Sequence, residues 1–129
     1  MFKPAHELVL EAKKSVNEYS PAAIRDQLTG VPDTLLIDVR EPDEYRQGHL
    51  PGAVNIPRGM LEFRISNEPQ LQNLSRPIVV YCKTSGRAAL CAAALHDMGY
   101  LNVVSIAGGF DAWAAAGKPV ARPETPSFD

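Results

Sequence analysis

Three short apolar runs constrain this chain more than anything else in it: Thr34 to Val39 (TLLIDV), Ile78 to Tyr81 (IVVY) and Val103 to Ile106 (VVSI). Each is rich in β-branched residues, and the first two are almost unbroken by polar ones. Such runs mark strands covered on both faces, which is the condition of a parallel sheet. Parallel strands need long crossovers, and the intervening segments carry helical signals. Ser20-Pro21 is an N-cap followed by proline at N1, opening a helix that stops at Gly30. Pro42, Asp43 and Glu44 suit a first helical turn, with acidic groups at the positive end of the dipole. An alanine-rich helix from about Ser85 to Met98 ends at Gly99, and Phe110 to Ala116 is closed by Gly117. Two weaker strands are expected near Val16–Tyr19 and Ala53–Ile56, and residues 58 to 75 read as irregular or weakly helical. Strands thus alternate with helices about five times, the pattern of a doubly wound α/β domain.

The length of 129 residues fits one such domain. Before it, Pro4 and the spacing of Ala5, Leu8, Val9, Ala12 and Val16 predict an amphipathic helix. After it, KPVARPETPSFD carries three prolines in twelve residues and reads as extended or disordered. The charge balance of 13 Lys and Arg against 15 Asp and Glu gives −2, with no long basic run, which argues against nucleic-acid binding. No apolar stretch approaches the ~20 residues of a membrane span, and the N-terminus lacks a signal-peptide pattern, so the expected compartment is the cytoplasm. Two cysteines, Cys82 and Cys91, are too few for a disulfide framework or a four-cysteine zinc site. His6 and His96 have no ligand partners at useful spacing, so neither a metal nor another cofactor is expected.

In α/β folds ligands bind outside the carboxyl ends of the strands. There the sequence is VVY-CKTSGR-AALCAAAL, with Cys82 directly after the strand and Arg87 in the first helical turn. Lys83, Thr84, Ser85 and Gly86 between them allow a tight turn whose N–H groups converge on one centre, a nest for an anion. Helix dipole, backbone donors and the cations Lys83 and Arg87 each favour a thiolate at Cys82 over a thiol. A free cysteine after a buried strand is also commonly a small apolar residue. The local residues leave both readings open. Cys91 shares a helical face with Ala88, Ala92 and Leu95, an apolar stripe, and is expected to be packing.

Three blocks, LLIDVREPDEYRQGHLPGAVNIP, IVVYCKTSGRAA and VVSIAGGFDAW, occur in this order and closely resemble a single-domain rhodanese, a thiosulfate or persulfide sulfurtransferase. The resemblance covers roughly residues 16 to 119, leaving residues 1–15 as a helix packed on or extending the domain and 120–129 as a tail. It implies an α/β domain whose five-stranded parallel sheet has helices on both faces. It also implies a mechanism in which Cys82 takes a sulfur from a small anionic donor and passes it to cyanide, a thiol or a protein cysteine. Arg87 would brace the loop and supply charge, while residues 83 to 87 would hold the transferred sulfur. The resemblance further implies a structural Asp38, an Arg40 that braces the loop or adds positive potential for the donor, and an ion-pairing or capping Glu44. His49 would orient a turn and Asn55 would bond the backbone. Gly108, Gly109 and Trp113 read as fold residues. Between 58 and 75, Arg58, Met60, Phe63 and Arg64 could line an entrance, against an ordinary excursion that buries Leu61 and Phe63. A rival enzyme class, the cysteine phosphatases and arsenate reductases, carries C-x5-R where this chain has the shorter C-x4-R. A second rival is a non-catalytic rhodanese-like module that binds or regulates a partner.

Overall fold

A computed structural model describes residues 1–123, so the expectation for the end of the tail lies outside the described residues. Five strands, β1 (Asn17–Tyr19), β2 (Leu35–Asp38), β3 (Val54–Asn55), β4 (Ile78–Tyr81) and β5 (Val103–Ile106), form one parallel sheet in the order β1-β5-β4-β2-β3. Six helices accompany them: α1 (Ala5–Lys13), α2 (Pro21–Gly30), α3 (Pro42–Gln47), α4 (Leu61–Asn67), α5 (Gly86–Asp97) and α6 (Gly109–Ala115). No helix among the described residues is long and apolar enough to cross a membrane.

The unbroken apolar runs are explained by the two cores they feed. Every residue of β2 and β4 is buried, and successive side chains leave opposite faces of the sheet. Leu35, Ile37, Ile78, Val80 and Cys82 point to one side, where they pack with Leu61, Ile65, Ala88, Cys91 and Leu95. Leu36, Val79, Tyr81 and Ile106 point to the other, against Ile24, Leu50 and Trp113. Local chemistry sets the helix starts. Ser20 Oγ accepts from Ala23 N–H at 3.3 Å with Pro21 behind it, and Glu41 caps α3 reciprocally with Glu44.

Residues 58–75 differ in part from their reading. A 3-10 turn at Arg58–Met60, the regular helix α4 and a second 3-10 turn at Pro69–Leu71 replace irregular chain. Leu61 is buried as expected, but Phe63 is 68% exposed. In a helix the inward partner of Leu61 lies four residues on, at Ile65, and Phe63 falls on the opposite side.

The amphipathic N-terminal segment forms α1 and lies against α5, with Val9 Cγ2 3.5 Å from where a Cβ on Gly86 would stand. Leu8 and Leu10 face outward. At the other end, Ala121 makes an antiparallel bridge with His49, through His49 N–H to Ala121 O at 2.9 Å and the reverse bond at 2.8 Å.

Candidate active site

Cys82 follows β4 directly, at the carboxyl end of a central strand, and is only 1% exposed. Its Sγ accepts the Ala88 N–H at 3.4 Å, so the loop from 82 to 87 closes back on its own first residue. The outside of this loop is held by α6. Phe110 N–H donates to Cys82 O at 2.8 Å and Asp111 N–H to Lys83 O at 3.0 Å. In a trans peptide the N–H of one residue points opposite to the carbonyl of the residue before it. The amides of Lys83 and Thr84 therefore turn away from α6. Among the described residues none of the amides of residues 83–87 donates to a protein acceptor. These unpaired donors, with the sulfur at their base, form an electropositive cradle at the start of α5.

Gly109 makes this arrangement possible. A Cβ there would stand 2.4 Å from both Cys82 O and Thr84 O and 2.8 Å from Lys83 O, and its φ is +58°. The glycine is thus more than a fold residue: it lets three loop carbonyls crowd onto the start of α6. The GGF block showed a turn, but nothing in it revealed which segment it would meet.

The cations divide between partners. Arg87 is bound fork-to-fork by Glu44, Nη1 to Oε1 at 2.7 Å and Nη2 to Oε2 at 3.1 Å. The Arg87 hydrogen bond pulls the Glu44 pKa down to about 2, while Glu44 raises that of Arg87. Glu44 also accepts from Glu41 N–H at 3.1 Å, so one carboxylate caps α3 and anchors the end of the loop. Lys83 is exposed and meets Asp111 at 2.7 Å. Thr84 is exposed. Ser85 Oγ accepts from Lys13 Nζ at 2.8 Å, and Lys13 lies 3.6 Å from Glu18 on β1. This link from α1 to the loop had no signal in the sequence, because it joins residues 72 apart.

Asp38 and Arg40 form a buried pair beneath this end of the sheet. Asp38 accepts from the Arg40 amide at 2.9 Å, from Nε at 3.1 Å and from Nη2 at 2.8 Å. Arg40 Nη2 also donates to Gly48 O at 2.7 Å, and its guanidinium lies 4.4 Å from the Phe110 ring centroid and 5.7 Å from that of Tyr81. Burial opposes the Arg40 charge, but Asp38 outweighs it and holds the pKa above its ordinary value. Burial, with Asp38 nearby, likewise pushes the Tyr81 phenol up, and its oxygen accepts Leu50 N–H at 3.0 Å. Asn55 Nδ2 donates to Asp38 O and Arg40 O, both at 3.0 Å, and His49 stacks on Tyr45 with its Nδ1 on Tyr45 O at 3.0 Å. Cys91 sits in the core and burial pushes its thiol up to about 12, so it stays neutral. Arg64 is tied to Glu68 and to Asn55 O, whereas Met60 is exposed.

A cavity of about 250 Å³ lies at the rim of the loop, lined by Arg40, Glu44, Lys83, Phe110, Asp111 and Arg122 among others. A larger hollow of about 580 Å³, with Arg25, Leu28 and Trp113 in its walls, has neither cysteine in its lining.

Residues 20–116 match the family profile described as Rhodanese-like domain. The chain belongs to this rhodanese-like family. A sulfurtransferase of Allochromatium vinosum is 35% identical over 109 residues, spanning 84% of this chain and 98% of that protein. A putative mitochondrial thiosulfate sulfurtransferase of Schizosaccharomyces pombe is 35% identical over 95 residues, 67% of each chain. Among solved structures, a Rhodopseudomonas palustris protein of unknown function, described as a possible tyrosine phosphatase, superposes with a TM-score of 0.84 at 35% identity, covering 94% of this chain and 96% of its own. The polysulfide-sulfur transferase homodimer of Wolinella succinogenes gives 0.75 at 33% identity, covering 90% and 85%. The relatives support sulfurtransferase activity for this rhodanese-like domain in general terms. Both α1 and the strand-like pairing of Ala121 lie outside the matched residues.

Proposed function

We propose that the protein transfers a sulfane sulfur through a persulfide on Cys82, taking it from thiosulfate or a related anionic donor and passing it to a thiol or cyanide. The observation that carries this reading is the cradle of unpaired amides around a cysteine at the end of β4. The Cys82 thiolate attacks the outer sulfur of thiosulfate, forming a new S–S bond while the old one breaks and sulfite leaves with the electron pair. The persulfide anion is then stabilised by the free N–H donors of residues 83–87, which would otherwise be unpaired. An acceptor thiolate attacks the outer sulfur, the bond to Cys82 Sγ breaks, and the thiolate is regenerated. Arg87, held by Glu44, braces the end of the loop, and Arg40 with Asp38 fixes the floor beneath it.

A phosphatase reading takes support from the name of the Rhodopseudomonas palustris protein. The geometry opposes it. Both Nη atoms of Arg87 are committed to Glu44 rather than free to grip two oxyanion oxygens, and the loop is one residue shorter than C-x5-R. Intact-mass measurement after incubation with thiosulfate decides between them: a single sulfur, about +32 Da, is expected on the wild type and none on Cys82→Ala. No adduct, or turnover of an aryl phosphate in its place, would overturn the sulfurtransferase mechanism.

A further inference from the structure

Two serines stand directly before helices in this chain, and their hydroxyls are used differently. Ser20, with ψ at 160°, turns its Oγ back to accept the N–H of Ala23, three residues on, at 3.3 Å. That is the ordinary use of a serine at a helix start. Ser85 holds the same place before α5, and the amide three residues on is that of Ala88. Yet Ser85 makes no such cap. Its ψ is −18°, and its Oγ accepts from Lys13 Nζ at 2.8 Å. The Ala88 N–H donates instead to Cys82 Sγ at 3.4 Å. A serine cap on α5 would therefore take the same donor that the reacting sulfur uses.

Lys13 is built into the fold for this contact. It is the last residue of α1, half-buried, with its Nζ 3.6 Å from Glu18 on β1. Val9, one turn earlier, lies against Gly86 at the start of α5. An ammonium only donates, so the Ser85 oxygen must be the acceptor. A hydroxyl oxygen can accept twice; what Lys13 fixes is the direction in which the side chain is held. Lys13 and Glu18 both precede residue 20, where the family match begins, so this support comes from outside the matched residues.

We propose that Lys13 is a positioning residue of the sulfur loop: by holding the Ser85 hydroxyl toward α1, it keeps Ser85 from capping α5 and reserves the Ala88 amide for the sulfur of Cys82. Its consequence for the reaction rests on the Cys82 persulfide reading, whereas the partner of the Ala88 amide can be observed without it. Without the ammonium, Ser85 is free to take the extended ψ of Ser20 and cap the helix. Rotation about that ψ turns the peptide on one side of Ser85 or the other, and both peptides belong to the loop. The capped loop would hold sulfur with fewer donors.

The experiment uses the full-length protein with two readouts, the Ala88 resonance in ¹⁵N–¹H spectra and the rate of mass gain with thiosulfate. Lys13→Met keeps an apolar stem and removes the ammonium. It should move the Ala88 resonance and slow loading about fivefold, the equilibrium weight of one typical helix cap. Added to Ser85→Ala, where no hydroxyl can form the cap, Lys13→Met should change neither readout further. Lys13→Arg, which keeps a charged donor, should lie closer to wild type than Lys13→Met. Equal effects of Lys13→Met with and without the Ser85 hydroxyl would overturn the proposal, because they would come from lost charge or from the docking of α1. An Ala88 resonance unmoved by Lys13→Met would overturn it as well, and a moved resonance with unchanged loading would remove Lys13 from the reaction. Failure of the wild type to load sulfur would defeat the persulfide reading, and the Ala88 resonance alone would then uphold or overturn the role of Lys13.

Discussion

Replacing Gly109 by alanine would test whether α6 shapes the sulfur loop. The residue has φ +58°, and its missing Cβ would meet Cys82 O and Thr84 O at 2.4 Å and Lys83 O at 2.8 Å. Two costs follow and they can be separated. The left-handed backbone alone costs an alanine about 1–2 kcal/mol. The overlap with backbone oxygens cannot be relieved by a rotamer change, and forcing such atoms apart adds about 1–3 kcal/mol. Gly117 isolates the first cost, because its φ is +71° and nothing lies within 4 Å of a Cβ built there. For a chain of this size one kcal/mol moves Tm by roughly 3–6 °C. Gly117→Ala should thus melt several degrees below wild type, and Gly109→Ala lower again by a similar or larger step. Relief of the overlap also stretches the bonds from Phe110 and Asp111 to the loop, now 2.8 and 3.0 Å. Displacement of the cradle by ~1 Å should slow sulfur loading by about a hundredfold. The assays are thermal melting and the rate of mass gain with thiosulfate. Equal melting temperatures and equal loading rates for the two variants would refute the claim that α6 sets the loop.

Two further outcomes are expected. Glu44 has its pKa lowered to about 2 by Arg87, so its contribution to stability is present above the ordinary value of 4.5 and is lost as pH falls toward 2. Glu44→Gln should be less stable at neutral pH but lose less between those two values in denaturant titrations, and parallel curves would contradict the assignment. Cys91, pushed up to about 12 by burial, should resist alkylation in the native state at pH 8, and Cys91→Ala should still load sulfur at a cost of about 1 kcal/mol. Alkylation of Cys91 as fast as Cys82 would show that it is not packing.

Much of the fold was legible because it depends on local pattern. β4 and β5 begin and end where the runs IVVY and VVSI do; β4 is buried along its whole length and so is apolar throughout, whereas β5 is half-buried at its start and carries a buried Ser105. Cys82, Arg87 and the small residues between them could be read for the same reason, being adjacent in the chain. What escaped was set by distant pairs. Arg87 has its partner 43 residues away on α3, and Ser85 is tied to Lys13, 72 residues distant, on the N-terminal helix. Asp38 pairs with the neighbouring Arg40, whose guanidinium lies near the Tyr81 and Phe110 rings brought in from other elements. Phe63 was misplaced because a weak helical pattern does not reveal which side of the helix meets the sheet.

The grip of α6 falls on main-chain oxygens of the loop, while Lys83 and Thr84 turn their side chains to solvent. The frame of the pocket therefore does not depend on the side chain at 84, and depends on that at 83 only through its exposed pair with Asp111. Charge and bulk at the entrance can be exchanged without remaking the support beneath it. A designer wishing to redirect this protein would randomise residues 83 and 84 while leaving Gly109 untouched.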